Sequence, residues 1–428
     1  MADSLLIKNA LVVPTGGGAA PFVGWVSVQG DLIDEVAPGA PPQRAFARVI
    51  DAGGGPLIPG LINTHAHSHS SLTRGTAERL PLEAWLEIIY REARRLDDDI
   101  AYCAALVTFA ESLLSGTTTI MDMCINPEAA ARAADTIGIR AIIAPYVGDR
   151  LDFAPTLART EALIERYNGK GGRVGVWIGL HESETCSDAQ IRDGVKLAER
   201  HGVGLHTHCS ETQASLALTR RRTGRSQVGH LDNLGALGPQ TLLAHCVWLS
   251  DEDRAILVKR GTHIAHCPHS NLKLGSGIAP IPKYRADGIN VSLASDGAKS
   301  NNALDQFDAM KFASLLPKGV NLDPDVLPPG DVLDMATWHG AQALGLKTGR
   351  IAPGYKADLT LLRGNVVRLQ PVLPQTILTN LVHAARGGDV DTVVVDGRIV
   401  VEKGRLAALD EAELAIRARD TALRLMAN

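Results

Sequence analysis

At 428 residues the chain is too long for one small core and fits one large barrel or two to three domains. A net charge of -4 and an aromatic content of only 4% argue against a nucleic-acid surface, whether basic or base-stacking. No apolar run approaches the ~18 residues of a membrane span, and the stretch Met1 to Lys8 lacks the basic start and long apolar core of a signal peptide. Six cysteines without close pairs give neither a disulfide framework nor a zinc-ribbon spacing. The expectation is a cytoplasmic enzyme with reduced thiols and a small-molecule substrate, with no nucleic acid or membrane as partner.

In chain order, residues 5–13, 24–29 and 32–36 read as short strands separated by the glycine turns at 16–18 and 53–55. The apolar run of Leu57, Ile58, Leu61 and Ile62 then leads into Thr64-His65-Ala66-His67. On an extended strand His65 and His67 point to the same side, and neutral imidazoles held that way can grip one metal ion. Helical spacing follows at 82–95 and 98–114, with Gly116 as a C-cap before a strand at 117–121. Helices at 127–137, 156–167 and 188–201, the last N-capped by Ser187, alternate with strands at 141–144, 174–179 and 204–207. Further strands are expected at 241–244, 262–265 and 290–293. About eight strand–helix units over roughly 300 residues is the length of a TIM barrel. Strands return at 357–362 and 391–401, where Asp396-Gly397 is a hairpin signal. The expected fold is therefore α/β: a (β/α)8 TIM barrel over 59–351, with a small β-sandwich domain assembled from 1–58 and 352–428 and a C-terminal helix.

Catalytic residues of such a barrel sit where strands end, and polar residues collect there. They are His65, His67 and His69 after strand 1; His181, Glu182 and Glu184 after strand 4; His206, His208 and Glu211 after strand 5; His245 after strand 6; His266, His269 and Asn271 after strand 7; and Asp296 after strand 8. A single histidine is usually an ordinary core or surface residue, but their joint placement is hard to attribute to chance.

Several longer motifs accompany them: the run from Pro59 through His67, Leu72-Thr73-Arg74-Gly75, Ala244-His245-Cys246-Val247, the run from Ser270 through Gly277, Ser295-Asp296-Gly297-Ala298, and Pro353-Gly354-Tyr355-Lys356-Ala357-Asp358-Leu359. With them the chain resembles the amidohydrolase superfamily over nearly its whole length. It is most similar to the branch holding S-adenosylhomocysteine deaminases, guanine deaminases and triazine hydrolases. The resemblance implies that His65, His67, His208 and Asp296 ligate the metal, with His206 the less favoured strand 5 candidate. It implies Glu211 as the proton donor to a ring nitrogen and His245 as the group beside the attacking water. Asp296 would accept the water's proton and pass it to the departing ammonia. Binuclear members use a carbamylated Lys at strand 4, and the stretch Trp177 to Ser183 has none. One divalent ion is expected, Zn²⁺ by its ligand set, with Fe²⁺ as the second candidate.

The implied reaction replaces an exocyclic amino group of a small heteroaromatic ring by hydroxyl, releasing ammonia. Hydrolysis of a ring amide, aryl halide or N-alkylamine at the same site is the alternative, and a non-catalytic binding protein a third reading. Nucleoside-processing relatives carry a Glu nine residues after the first loop Trp; here the residue nine after Trp85 is Arg94. That departure, with additional His and Glu residues, points to a heterocycle smaller and more polar than a nucleoside: a purine, pterin, pyrimidine or triazine. His69, Trp85, His181, Glu184, His269 and Asn271 are the expected substrate contacts, with residues 80–85 covering the pocket. A homodimer using the helix at 305–316 is expected because relatives often oligomerise.

Overall fold

The computed structural model describes residues 4–17 and 20–427, so the turn expected at 16–18 falls partly outside the described residues. The chain opens with β1 (Ser4–Val12), β2 (Phe22–Gln29), β3 (Leu32–Pro38), β4 (Arg48–Asp51) and β5 (Pro56–Pro59). The middle carries β6 (Leu61–Ala66), β7 (Thr117–Cys124), β8 (Arg140–Pro145), β9 (Val174–Val176), β10 (Ile178–Gly179), β11 (Leu205–Cys209), β12 (Thr241–His245), β13 (His263–His266) and β14 (Val291–Leu293). The chain closes with β15 (Leu359–Leu362), β16 (Val390–Val395), β17 (Arg398–Glu402) and β18 (Arg405–Leu406), followed by the helix Glu411–Ala427.

Strands from both ends of the chain share one sheet, ordered β18-β17-β16-β15-β5-β1-β2-β3 with β4 on β1. The β16–β17 turn is the expected Asp396-Gly397, with φ of 54° and 77°, the two positive values of a tight hairpin. A Cβ on Gly397 would lie 1.9 Å from the Gly30 carbonyl, so no other residue fits.

The middle strands are parallel and form two sheets, β6-β7-β8-β9 and β10-β11-β12-β13-β14. Helices flank them, and β7 is buried along its full length, as parallel strands covered on both faces must be. A parallel bridge between Val147 and Leu180 joins the two sheets. At the other junction the Thr64 hydroxyl donates to the Leu293 carbonyl at 2.9 Å, and the Asp296 amide donates to the His65 carbonyl at 2.9 Å. The single strand expected at 174–179 is broken at Trp177, whose ring packs so closely on Gly204 that a Cβ there would lie 2.4 Å from it. Helix caps follow the sequence: Asp97 accepts from the Ile100 amide and Ser187 from the Gln190 amide.

Only Gly60 separates β5 from β6, so the shared sheet runs straight into the strand bearing the first histidines. A buried fork reinforces this junction: Arg140 on β8 holds Asp358 at 2.9 and 3.1 Å and Asp396 at 2.9 Å. Among the described residues no helix is long and apolar enough to cross a membrane.

Candidate active site

Strand alternation puts His65 and His67 on one side of β6, and His206 and His208 on one side of β11. The hydrogen bonds then decide what each ring presents. His67 Nδ1 donates to the Met123 carbonyl at 2.7 Å, and His208 Nδ1 donates to the His181 carbonyl at 2.7 Å. A carbonyl only accepts, so both rings carry the proton on Nδ1 and turn an Nε2 lone pair inward. His206 Nδ1 donates to the Leu242 carbonyl at 2.9 Å, which leaves its Nε2 as an acceptor 2.7 Å from His65 Nδ1. His65 must therefore donate to His206, and its own Nε2, buried and without a hydrogen-bond partner, also points a lone pair inward. His206 thus orients a candidate ligand and does not join the set. Burial pushes the His65 and His208 rings well below the ordinary histidine pKa and His206 down to about 3, so all three are neutral.

The inward atoms converge. His67 Nε2 lies 3.2 Å from His208 Nε2, and Asp296 Oδ1 lies 3.4 Å from His65 Nε2 and 3.3 Å from His67 Nε2. Ligands ~2.0–2.1 Å from a tetrahedral zinc stand about 3.3 Å apart, so the donor set fits such an ion. Asp296 is steadied by Ser270 at 2.5 Å, Ser300 at 2.9 Å and the Gly297 amide at 2.7 Å. Burial works against its charge, but His65, His67 and His245 hold its carboxyl well below the usual range. His245 and Asp296 sit at positive φ, 71° and 62°, a conformation costly for a side chain and concentrated at functional sites.

Beside this centre, His245 Nε2 faces Glu211 Oε2 at 3.6 Å, and His245 Nδ1 pairs with Asn271 Oδ1 at 2.9 Å. Burial disfavours an imidazolium, yet the Glu211 charge raises the His245 pKa well above its ordinary value. Glu211, held by the Ser276 hydroxyl at 2.9 Å, is pushed up by burial, with His245 opposing.

A narrow cavity opens over these groups. It is lined by His67, His208, Glu211, His245 and Asp296 below, and by Leu82, Trp85, Leu86 and Ile89 of the helix Leu82–Ala93 above. Of the expected substrate contacts, His69, Trp85 and His181 line it. Glu184, His269 and Asn271 do not. The Glu184 carboxylate is taken up by Thr219, Gln227 and Ser183. His269 lies one residue into the short helix Pro268–Lys273 and packs on Phe312, ring centroids 4.4 Å apart, while Asn271 reaches His245. Arg94 caps the helix end outside the cavity, pairing with Asp152 at 2.8 Å, so its identity does not constrain what the cavity holds.

Tyr146 and Glu182 also line it, and neither was among the expected substrate contacts. Tyr146 hydrogen-bonds His181 Nε2, whose Nδ1 meets the Thr185 hydroxyl at 2.7 Å. Glu182 presents a carboxyl to the cavity; burial, with the Glu184 and Glu211 charges, pushes its pKa well up. Among the described residues no Lys or Arg lines the cavity.

The strand-end metal donors, the buried glutamate–histidine pair and the parallel-sheet scaffold define a hydrolase class. The chain belongs to the amidohydrolase family, whose sequence profile matches residues 57–400. It is 40% identical to a 5'-deoxyadenosine deaminase of Methanothermobacter thermautotrophicus over 96% of each chain. It is 36% identical to a 5-methylthioadenosine/S-adenosylhomocysteine deaminase of Syntrophomonas wolfei over 99% of each. Among solved structures it resembles an adenosine deaminase from Xanthomonas campestris with bound zinc, TM-score 0.94 at 29% identity over 99% of each chain. It also resembles an atrazine chlorohydrolase from Arthrobacter aurescens complexed with zinc, TM-score 0.89 at 25% identity over 98% of this chain and 100% of the other.

Proposed function

We propose that this protein is a metal-dependent aminohydrolase that replaces the exocyclic amino group of an adenosine-type nucleoside by hydroxyl, releasing ammonia. The carrying observation is the convergence of three Nε2 lone pairs and the Asp296 carboxylate beside the Glu211–His245 pair. His65, His67, His208 and Asp296 would hold one divalent cation, zinc by the all-nitrogen-and-oxygen set. Such an ion lowers the pKa of a water from 15.7 towards ~7.

Around that chemistry each residue has its task. Glu211 retains a proton to higher pH than an exposed glutamate and delivers it to the ring nitrogen beside the carbon under attack. His245, fixed by Asn271, stabilises the developing negative charge on the oxygen. Asp296 takes the water's proton and passes it to the leaving nitrogen, so ammonia departs neutral. The aliphatic side chains and Trp85 of the helix above exclude bulk water and cover the flat ring.

The deaminases named among the relatives support a nucleoside over the smaller heterocycle expected from sequence, since the Arg94 departure lies outside the cavity. The absence of Lys and Arg from the lining of described residues, with Glu182 present, supports a substrate whose 5' side is uncharged, such as 5'-deoxyadenosine. We read residues 59–351 as the barrel domain and the two ends as its β-sandwich partner. Free buried cysteines support a cytoplasmic setting, and the exposed Phe312, Leu315 and Val320 of the helix Gln306–Asn321 support a dimer. Ammonia release by zinc-loaded protein from 5'-deoxyadenosine, 5'-methylthioadenosine, adenine and amino-substituted pterins, with chloride release from chlorotriazines, tests the reading. Turnover of the nucleosides is expected. Turnover confined to free bases or chlorotriazines would overturn it.

A further inference from the structure

The helix Leu82–Ala93 that roofs the cavity is weakly held at its start: Pro81 gives no side-chain cap, and the buried Trp85 Nε1 has no hydrogen-bond partner. Its last turn is held differently. Glu92, on the same helical face as Trp85 and Ile89 by the i, i+4, i+7 spacing, receives the Lys299 ammonium at 2.6 Å on one oxygen and the Thr73 hydroxyl at 2.9 Å on the other. The Lys299 side chain is 0% exposed. Lys299 stands three residues beyond Asp296, and Thr73 ends the turn Ser68–Thr73, which follows His67 and contains His69. One buried ionic contact therefore ties together the roof, the segment after the first histidines and the loop carrying the Asp296 carboxylate. The Lys299 carbonyl in turn accepts from Lys273, which pairs with Glu78 at 2.7 Å, so the Lys299 backbone is itself braced.

We propose that the Glu92–Lys299 pair is a positioning element that sets the height of the roof helix over the metal-facing carboxylate of Asp296, and so governs how tightly the substrate ring is held. It touches neither substrate nor reacting atoms. Among the described residues the Lys299 ammonium pairs with no second acid, so loss of Glu92 frees the roof rather than shifting the pair elsewhere.

The test compares Glu92→Gln, Lys299→Met, the double variant and the conservative Lys299→Arg with the parent enzyme, all zinc-loaded. Metal content, kcat and KM for 5'-deoxyadenosine, and amide hydrogen exchange are measured. The expected result for Glu92→Gln and the double variant is KM raised about 10-fold with kcat within about 3-fold, metal content intact and faster exchange confined to 82–93. Lys299→Arg is expected to keep KM near the parent value. Unchanged KM with unchanged exchange in that helix would show a merely stabilising contact. A fall in kcat with loss of metal would place the pair's effect on the ligands; either overturns the proposal. The kinetic arm rests on the deaminase reading, but the exchange arm does not, so the two fail separately. If Lys299→Met does not fold, Glu92→Gln and Lys299→Arg still decide.

Discussion

His206 holds His65 by a hydrogen bond of 2.7 Å and thereby decides which nitrogen of His65 faces the candidate metal centre. The Leu242 carbonyl anchors the far side of His206, so the chain carbonyl–His206–His65 transmits one tautomer inward. His206→Ala leaves the His65 Nδ1–H without its acceptor in a buried site. Metal affinity is expected to fall about 10- to 100-fold, the usual effect of removing such a support, as read by competition with a chelator. An unchanged affinity would show that His65 is held by packing alone.

Glu211→Gln removes the proposed proton donor and keeps the volume and the Ser276 contact. The expected loss in kcat is about 10²- to 10⁴-fold with metal content preserved. Asn271→Ala, which strips the support from His245, is expected to lower kcat less than Glu211→Gln does. Retained turnover in Glu211→Gln would assign the proton to another group.

Substrates carrying a 5'-phosphate are expected to react poorly. They bring an anion into a cavity where no described Lys or Arg waits and Glu182 lies in the wall. A kcat/KM for adenosine 5'-phosphate about 10-fold or more below that for 5'-deoxyadenosine corresponds to ~1.4 kcal/mol of discrimination. Equal values would show that the 5' side extends past the cavity into solvent.

The Arg140–Asp358–Asp396 fork is a stability element. Arg140→Ala strands a fully buried carboxylate and is expected to cost about 3–5 kcal/mol in chemical denaturation. Arg140→Met with Asp358→Leu removes both charges and is expected to cost less than the single change. A double variant as unstable as the single one would show that shape, not charge, dominates there.

Asp305 is pushed up to about 6 by burial, though the Gly387 and Phe307 amides oppose the shift. A carboxyl whose folded pKa lies above its unfolded value near 3.9 favours the folded state at low pH. That contribution fades as pH rises from about 4 through about 6. Asp305→Asn, which keeps an N-cap oxygen, is expected to gain stability relative to the parent by ~1–3 kcal/mol more at pH 8 than at pH 4, as read by thermal melting. A difference independent of pH would remove Asp305 from the acid response.

The period of a strand put His65 and His67 on one side and likewise His206 and His208, while the choice of His208 over His206 came from the resemblance. The spacing of Glu211 after His208, carried by the resemblance, made Glu211 the expected proton donor, and the structure places it beside His245. Legibility failed where the chain leaves the strand. After β10 the backbone turns, with the Thr185 and Cys186 amides bonding back to the Glu182 carbonyl, so Glu182 meets the cavity while Glu184 is turned to Thr219 and Gln227. A continuing strand would have put both glutamates on one side, so it is the turn after β10 that separates them, and no strand pattern encodes that turn. His269 and Asn271 show the same limit: a helix begins at Pro268, sending one side chain to Phe312 and the other to His245. The significance of Tyr146 lay in a contact 35 residues away, which no local pattern encodes.

The pairing of β5 with both β1 and β15 also bears on synthesis. During translation the strand leading into His65 emerges with one edge open, and the partner for that edge is encoded some 300 residues later, at Leu359–Leu362. The nascent chain must carry an incomplete first sheet until nearly all of it has left the ribosome, and a variant that stops short of β15 would leave an aggregation-prone edge beside the future metal site.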